Sequence, residues 1–385
     1  MLYYTLVPFL LALVAVCWIH PRLVRIALLK NIVDNPDARK LQRIPIPVLG
    51  GIAVFFGAVI GIAVTNAFTD CSSLLAIVAA MMVMLYTGTM DDILDLSPGL
   101  RFVIEIGIVV LLIAVTGNSI NNFHGLWGFY SVPGWIAWPL TVFATVGIIN
   151  AINLIDGVDG LSSGYCVMAS FIFGVVFLLS GLQTMVILAA VSAGALIPFF
   201  FHNVFGKSSK MFIGDGGTLV MGIVLSSFVL NTLSEGSAVT EYVNESFGVI
   251  PFTLAVLSVP VFDTLRVMTA RIVRGTSPFH PDKTHLHHLF IELGFSHAGT
   301  TVCILTLNSL VVLFHWLIYA MGFSIDVQLY AVVIMSLLVT SGFYYGMKRI
   351  SPEGWIKRFS NLLARMSHIE RRGAFLLMQK IVDKI

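Results

Sequence analysis

The sequence predicts an all-α polytopic membrane protein, a bundle of about eleven transmembrane helices. Composition is the first observation behind this. Of 385 residues, 57% are hydrophobic and 11% charged, with a mean hydropathy of +0.93, and soluble domains carry roughly twice that charge. The second is that apolar stretches suited to a hydrocarbon core of about 30 Å recur along the whole chain. The third is that basic residues fall only in alternate loops. Helices satisfy their own backbone in lipid, which makes a helical bundle the natural solution.

The apolar stretches cover residues 3–20, 48–67, 73–90, 100–116, 135–152, 162–180, 183–201, 216–233, 248–268, 299–321 and 327–347. The first is followed by Pro21-Arg22 with no small-residue cleavage site, so it reads as a retained helix and not a signal peptide. With eleven spans, all 22 Lys and Arg residues lie on one side: in 21–47, at Arg101, at Lys207 and Lys210, at Arg266, Arg271, Arg274 and Lys283, and from Lys348 onward. The positive-inside rule makes that side cytoplasmic and places the N-terminus outside. The opposite loops, 67–72, 117–134 and 234–247, carry no basic residue, and Trp127, Tyr130, Trp135 and Trp138 suit an interfacial belt. Residues 1–347 read as a transmembrane catalytic domain. Residues 348–385 read as a basic amphipathic cytoplasmic tail, suited to the lipids of an anionic leaflet. The net charge of +2 gives no case for nucleic acid, and the four dispersed cysteines form neither a disulfide framework nor a zinc pattern.

Polar clusters interrupt this pattern on the cytoplasmic side. Asp91, Asp92 and Asp95 end the third stretch, with Asp91 and Asp95 on one helix face. A polar helix end accounts for one such Asp; three suit Mg²⁺ held against phosphate oxygens. Asn150, Asn153 and Asp156 recur every third residue and run into Gly157, Asp159 and Gly160, where glycine lets the backbone approach a ligand closely. Phe212–Thr218 is a Gly-rich turn around Asp215, and it reads equally as an anion-binding helix start or a plain N-cap. His285, His287 and His288 lie in the longest cytoplasmic loop, which suits proton transfer or phosphate better than zinc because no Cys accompanies them. Arg39 and Lys40 precede the Pro/Gly entry 45–51 to the second stretch, as topogenic charges or as a phosphate-facing loop. Six carboxylates gathered on one membrane face are expensive and point to a metal- and phosphate-handling active site there.

Taken in order, the DDxxD segment at 91–95, the NxxNxxDGxDGL segment at 150–161, the Gly214-Asp215 turn and the His-x-His-His loop at 285–288 resemble the polyprenyl-phosphate N-acetylhexosamine-1-phosphate transferases, glycosyltransferase family 4. The resemblance spans essentially the whole chain. The His-x-His-His form and the eleven-span layout are similar to the branch using UDP-GlcNAc, not the ten-span peptidoglycan branch. One departure is Gln42, where relatives often carry His.

The resemblance implies transfer of a sugar 1-phosphate from a UDP-N-acetylhexosamine to undecaprenyl phosphate, releasing UMP, at a bacterial inner membrane. It implies Mg²⁺, with Mn²⁺ as a substitute, on Asn153 and Asp215, with Asp156 and Gly157 near the uracil. Asp91 and Asp92 would act on the lipid phosphate, and Asp159 is a further candidate base or nucleophile. Lys40, Asp95, Arg101, Asn150, His285, His287 and His288 are the remaining substrate-binding candidates. The resemblance is compatible with a homodimer. A membrane prenyltransferase would also use Asp-rich helix ends, but gives no reason for the Asp215 turn or the His loop. A transporter would place its polar groups near the midplane, where Glu105 and Asp263 are the main charges.

Overall fold

The computed structural model describes residues 2–34, 45–279, 282–351, 353–370 and 373–384. Lys40, Gln42 and His280 lie outside the described residues. The helices are α1 (Leu2–Lys30), α2 (Gly50–Thr65), α3 (Leu75–Leu94), α4 (Pro98–Thr116), α5 (Gly134–Leu154), α6 (Leu161–Leu179), α7 (Gln183–Phe205), α8 (Gly214–Leu233), α9 (Ala238–Tyr242), α10 (Val249–Val256), α11 (Ser258–Val273), α12 (Leu286–Glu292), α13 (His297–Ala320), α14 (Ile325–Leu337), α15 (Phe343–Arg349), α16 (Trp355–Ser367) and α17 (Gly373–Val382). A π-helical turn, Leu338–Gly342, joins α14 to α15. Two short strands, β1 (Val33–Asp34) and β2 (Ile46–Pro47), pair antiparallel just before α2.

All eleven apolar stretches fall on helix, and the protein is a multi-pass α-helical membrane protein. Among the described residues nine helices are long and apolar enough to cross a membrane, or ten if the bent pair α10–α11 is one span. The expected eleven is not confirmed. The difference is α2, whose 16 residues rise about 24 Å at 1.5 Å per residue, short of a core about 30 Å thick.

The ninth stretch is also not one straight helix, since α10 and α11 meet at 74°. Pro260 has no N–H to give to the carbonyl four residues back, Val256. Asn308 on α13 takes over that carbonyl, its Nδ2 donating to Val256 O at 2.9 Å. Its Oδ1 accepts from Val259 N–H at 3.0 Å and from the Ser258 hydroxyl at 2.9 Å. The broken ladder is thus fully occupied by one buried side chain.

The chain divides into two compact units. The first comprises Met1–Asn118, Ser162–Phe228 and Glu370–Ile385. In it α1, α2 and α7 pack through small residues. A Cβ on Gly57 would sit 2.5 Å from Val16 Cγ2, one on Gly61 2.6 Å from Val191 Cγ1, and one on Gly194 would strike the Phe9 carbonyl. Such backbone approach is what holds helices together in lipid, where apolar side chains gain little by leaving the solvent. Phe173, Phe177 and Phe228 pack with ring centroids 5.5–6.0 Å apart in its core.

The second unit comprises Ser119–Leu161 and Val229–Ile369. Its α10–α14 assembly is joined to the 119–131 segment by Trp127, whose Nε1 donates to the Tyr330 hydroxyl at 2.8 Å and whose backbone N–H donates to Asp326 at 2.7 Å. On α16 the small residues Ser360 and Ala364 are buried, while Trp355, Phe359, Leu362 and Met366 stay exposed. This places the apolar face outward, the orientation of an interfacial helix.

Candidate active site

In the first unit, the last turn of α3 meets the first turn of α8. Gly88 makes this meeting possible, because a Cβ there would collide with the Asp215 backbone. Gly214 enters α8 at φ 68°, a left-handed conformation that suits glycine. Asp92 then caps α8 from another helix: its Oδ1 accepts from Asp215 N–H at 3.1 Å and its Oδ2 from Gly216 N–H at 3.4 Å. A carboxylate at a helix N-terminus is stabilised by free amides and the helix dipole.

Beside that cap, Arg101 on α4 is shared by three carboxylates. Its Nη1 lies 2.9 Å from Asp91 Oδ2 and 3.0 Å from Asp215 Oδ2, and its Nε lies 3.2 Å from Glu105 Oε1. The second Asp91 oxygen accepts from Leu96 N–H at 2.8 Å. Glu105 is fully buried, whereas the Asp215 side chain keeps 34% of its exposure. Asp95 is the exposed, left-handed C-cap of α3, apart from these contacts. The donors here are hard oxygens, the set Mg²⁺ takes when one or two carboxylates hold it and phosphates complete the shell. Asp215 fits that use. Among the described residues no three His, Cys, Asp or Glu side chains form a metal cage.

In the second unit, Asn150 and Asn153 occupy the last turns of α5, with Asn150 Nδ2 donating to Val146 O at 3.0 Å. The following turn exposes Asp156 and Gly157. His287 packs directly on Gly157, where a Cβ would strike the imidazole. Asp159 is held differently. Its Oδ2 lies 2.8 Å from His297 Nδ1, and its carbonyl accepts from the Thr301 hydroxyl at 2.9 Å, both from the first turns of α13.

The His loop is held by two ion pairs. Asp263 Oδ1 accepts from Arg266 Nη2 at 2.6 Å, and Asp263 Oδ2 accepts from His285 at 3.0 Å and from Leu286 N–H at 3.1 Å. Arg266 also donates to Thr284 O at 2.6 Å and lies 3.9 Å over the Tyr344 ring. Asp282 takes Arg271 Nη2 at 2.9 Å and the Thr284 hydroxyl at 2.7 Å. Burial would raise the Asp282 carboxyl, but hydrogen bonds from Arg271 and Thr284 hold it well below the usual carboxylate range. The rings of His285 and His287 stack at 5.7 Å, and His287 and His288 lie 4.3 Å apart. Burial, then the neighbouring histidines, pushes His287 far down. Burial, His285 and Lys283 push His288 to about 4. At neutral pH both rings are neutral hydrogen-bonding groups.

The structure therefore gathers Asp91, Asp92, Arg101 and Asp215 in one unit. In the other it gathers Gly157 with His285, His287 and His288, and ties Asp159 to α13. The sequence passed over His297, Arg266, Arg271 and Asp282 as site-shaping groups. The one local signal for His297 is its place four residues before Thr301 at the start of a span, which sets both on one helix face.

The glycosyl transferase family 4 model matches residues 74–233, from α3 through α8. A Bacillus subtilis (strain 168) protein named probable undecaprenyl-phosphate N-acetylglucosaminyl 1-phosphate transferase is 33% identical over 306 residues, 77% of this chain and 80% of its own length. Undecaprenyl-phosphate alpha-N-acetylglucosaminyl 1-phosphate transferases of Yersinia pestis and Escherichia coli (strain K12) are 27% and 29% identical, covering 89% and 71% of this chain and 92% and 73% of their own. Identity of this level over most of both chains, together with the multi-pass helical fold, shows that the chain belongs to glycosyl transferase family 4.

Proposed function

We propose that this protein transfers N-acetylglucosamine 1-phosphate from UDP-N-acetylglucosamine to undecaprenyl phosphate. An oxygen of the lipid phosphate bonds to the sugar-bearing phosphorus, the phosphoanhydride bond breaks, and UMP leaves with the bonding pair. The product is a lipid-linked GlcNAc diphosphate that starts a cell-envelope glycan. The observation that carries this reading is the Asp91–Arg101–Asp215 network beside the Asp92-capped start of α8, supported by the names of the relatives.

Attack of one anion on another needs fixed opposing charge and positioning more than covalent chemistry. Asp91 and Asp92 orient the lipid phosphate and take its proton. Asp156, Gly157 and the neutral His287 and His288 contact the nucleotide sugar through hydrogen bonds, and Asn150 and His285 keep that surface in place. Asp215 would hold Mg²⁺, which when bound neutralises diphosphate charge, and Asn153 is a separate candidate for that role by the family resemblance. Asp159, engaged by His297 and Thr301, is better suited to fixing the 155–160 turn than to acting as nucleophile. Direct attack therefore fits this chain better than a covalent intermediate. A cytosolic donor suits a reaction at the cytoplasmic face of a bacterial inner membrane.

The test is purified protein with undecaprenyl phosphate and a panel of UDP-sugars, with UMP and the lipid product followed by mass spectrometry. UDP-GlcNAc should give the fastest UMP release and a lipid heavier by one phospho-N-acetylhexosamine. Preference for UDP-MurNAc-pentapeptide, or no UMP from any donor, would overturn the proposal.

A further inference from the structure

The C-terminal end of the chain belongs to the first unit and makes contacts the reaction does not explain. α17 ends at buried Val382, and Phe375 on it packs on Phe205 at the end of α7, with ring centroids 4.9 Å apart. The next residue, Asp383, is cradled by the loop after α7. Its carboxylate accepts from the backbone N–H groups of Lys207 (3.0 Å), Ser208 (3.1 Å) and Ser209 (3.0 Å), and from the Ser209 hydroxyl (2.8 Å). Consecutive amides turned toward one point form an anion seat, and here the anion comes from a residue more than 170 positions away. Burial would raise this carboxyl, but the Ser209 hydroxyl and the loop amides hold it low, so it is charged at neutral pH.

That loop leads into the turn bearing Asp215, and every step of the way is tied down. His20 on α1 donates to Ser209 O at 2.8 Å, and Asn203 Nδ2 to Met211 O at 2.9 Å. Phe212 N–H donates to Pro47 O at 2.8 Å, and Gly50 and Gly51 N–H donate back to Phe212 O and Ile213 O at 3.0 and 2.7 Å. Asp92 then takes Asp215 N–H. The segment 207–213 has no helix or strand of its own before α8, so its course depends on these outside partners.

We propose that Asp383 is a positioning residue for the Asp215 turn, the tail acting as the clamp at the far end of this segment; the consequence for turnover rests on the transferase reading above. Residues that set geometry away from the chemistry act on rate, because a displacement near 1 Å costs up to about 10²-fold. Asp383 is not among the proposed substrate-binding residues, so substrate affinity should be little changed.

The experiment uses the full chain in lipid nanodiscs, comparing wild type with Asp383→Ala by hydrogen–deuterium exchange and by steady-state kinetics. Exchange of the Lys207, Ser208 and Ser209 amides should quicken about tenfold as their charged acceptor is lost, and the rest of 207–213 should quicken as the segment loosens, while α3 and α7 stay protected. The kcat should fall about tenfold with both KM values within about twofold of wild type. If Asp383→Ala does not fold, Asp383→Asn, which keeps the shape and removes the charge, is measured the same way. Wild-type kcat, or a lower kcat without faster exchange at 207–213, overturns the proposal. A wild type without turnover would count against the transferase reading instead, and the exchange result alone would then decide whether the clamp exists.

Discussion

The two units solve opposite electrostatic problems. In the first, one guanidinium, Arg101, is shared among Asp91, Glu105 and Asp215, and Asp215 remains a third exposed. In the second, each of the two carboxylates that hold the His loop has its own arginine, Asp263 with Arg266 and Asp282 with Arg271, while His287 and His288 are neutral. The first arrangement holds carboxylates ready for a further cation. The second uses charge only to fix a loop and offers neutral donors and acceptors to whatever binds there. On the proposed reading, one half would serve phosphate-and-metal chemistry and the other recognition of a sugar nucleotide.

The largest expected effect breaks the first half. Asp215→Ala should abolish turnover, and EDTA should stop the wild type until Mg²⁺ or Mn²⁺ is restored, because hard oxygen donors favour those ions. Initial rates of UMP release test this, and full turnover in EDTA would remove the metal from the account. The second half should fail by a different route. Asp263→Ala leaves Arg266 buried without its carboxylate, a change that costs about 3–5 kcal/mol. It should lower the thermal midpoint of the purified protein, whereas Asp91→Asn, which keeps the side chain's shape at a partly exposed position, should shift it less.

A smaller effect sharpens the recognition half. Gly157→Ala places a methyl where the His287 ring sits, and overpacking of this kind costs about 1–3 kcal/mol. Calorimetry should show weaker UDP-GlcNAc binding, with the KM for the lipid unaltered. The smallest effect is on pH. His288 has its folded-state value pushed down from 6.5 to about 4, so its neutral form belongs to the fold. The stability it contributes is present above pH 6.5 and declines as pH falls from 6.5 toward 4, where the ring must charge. Unfolding midpoints across that window should drop in the wild type and drop less in His288→Asn.

Hydropathy made every long apolar helix legible, because lipid demands apolar length and length is written locally. What it left out depends on partners distant in sequence. The break at Leu257 needs Pro260 together with Asn308 from another helix. The short α2 ends at Thr65, earlier than the apolar stretch through 67 suggests. Of the site, residue types and spacing pointed to Asp91, Asp92, Asp215 and the histidines. They were silent on Arg101 being shared with Asp91 and Asp215, on His297 holding Asp159, and on Asp383 reaching the loop before Asp215, since none of these pairings has a local pattern.

The division of labour between the halves is tested most directly by Asp91→Asn, measured for initial rate and for UDP-GlcNAc affinity on the same preparation. Loss of a group that takes or orients the acceptor's proton should cut turnover by about 10²–10⁴-fold and leave UDP-GlcNAc binding near wild type. Wild-type turnover with weakened UDP-GlcNAc binding would place Asp91 on the donor side and contradict the account.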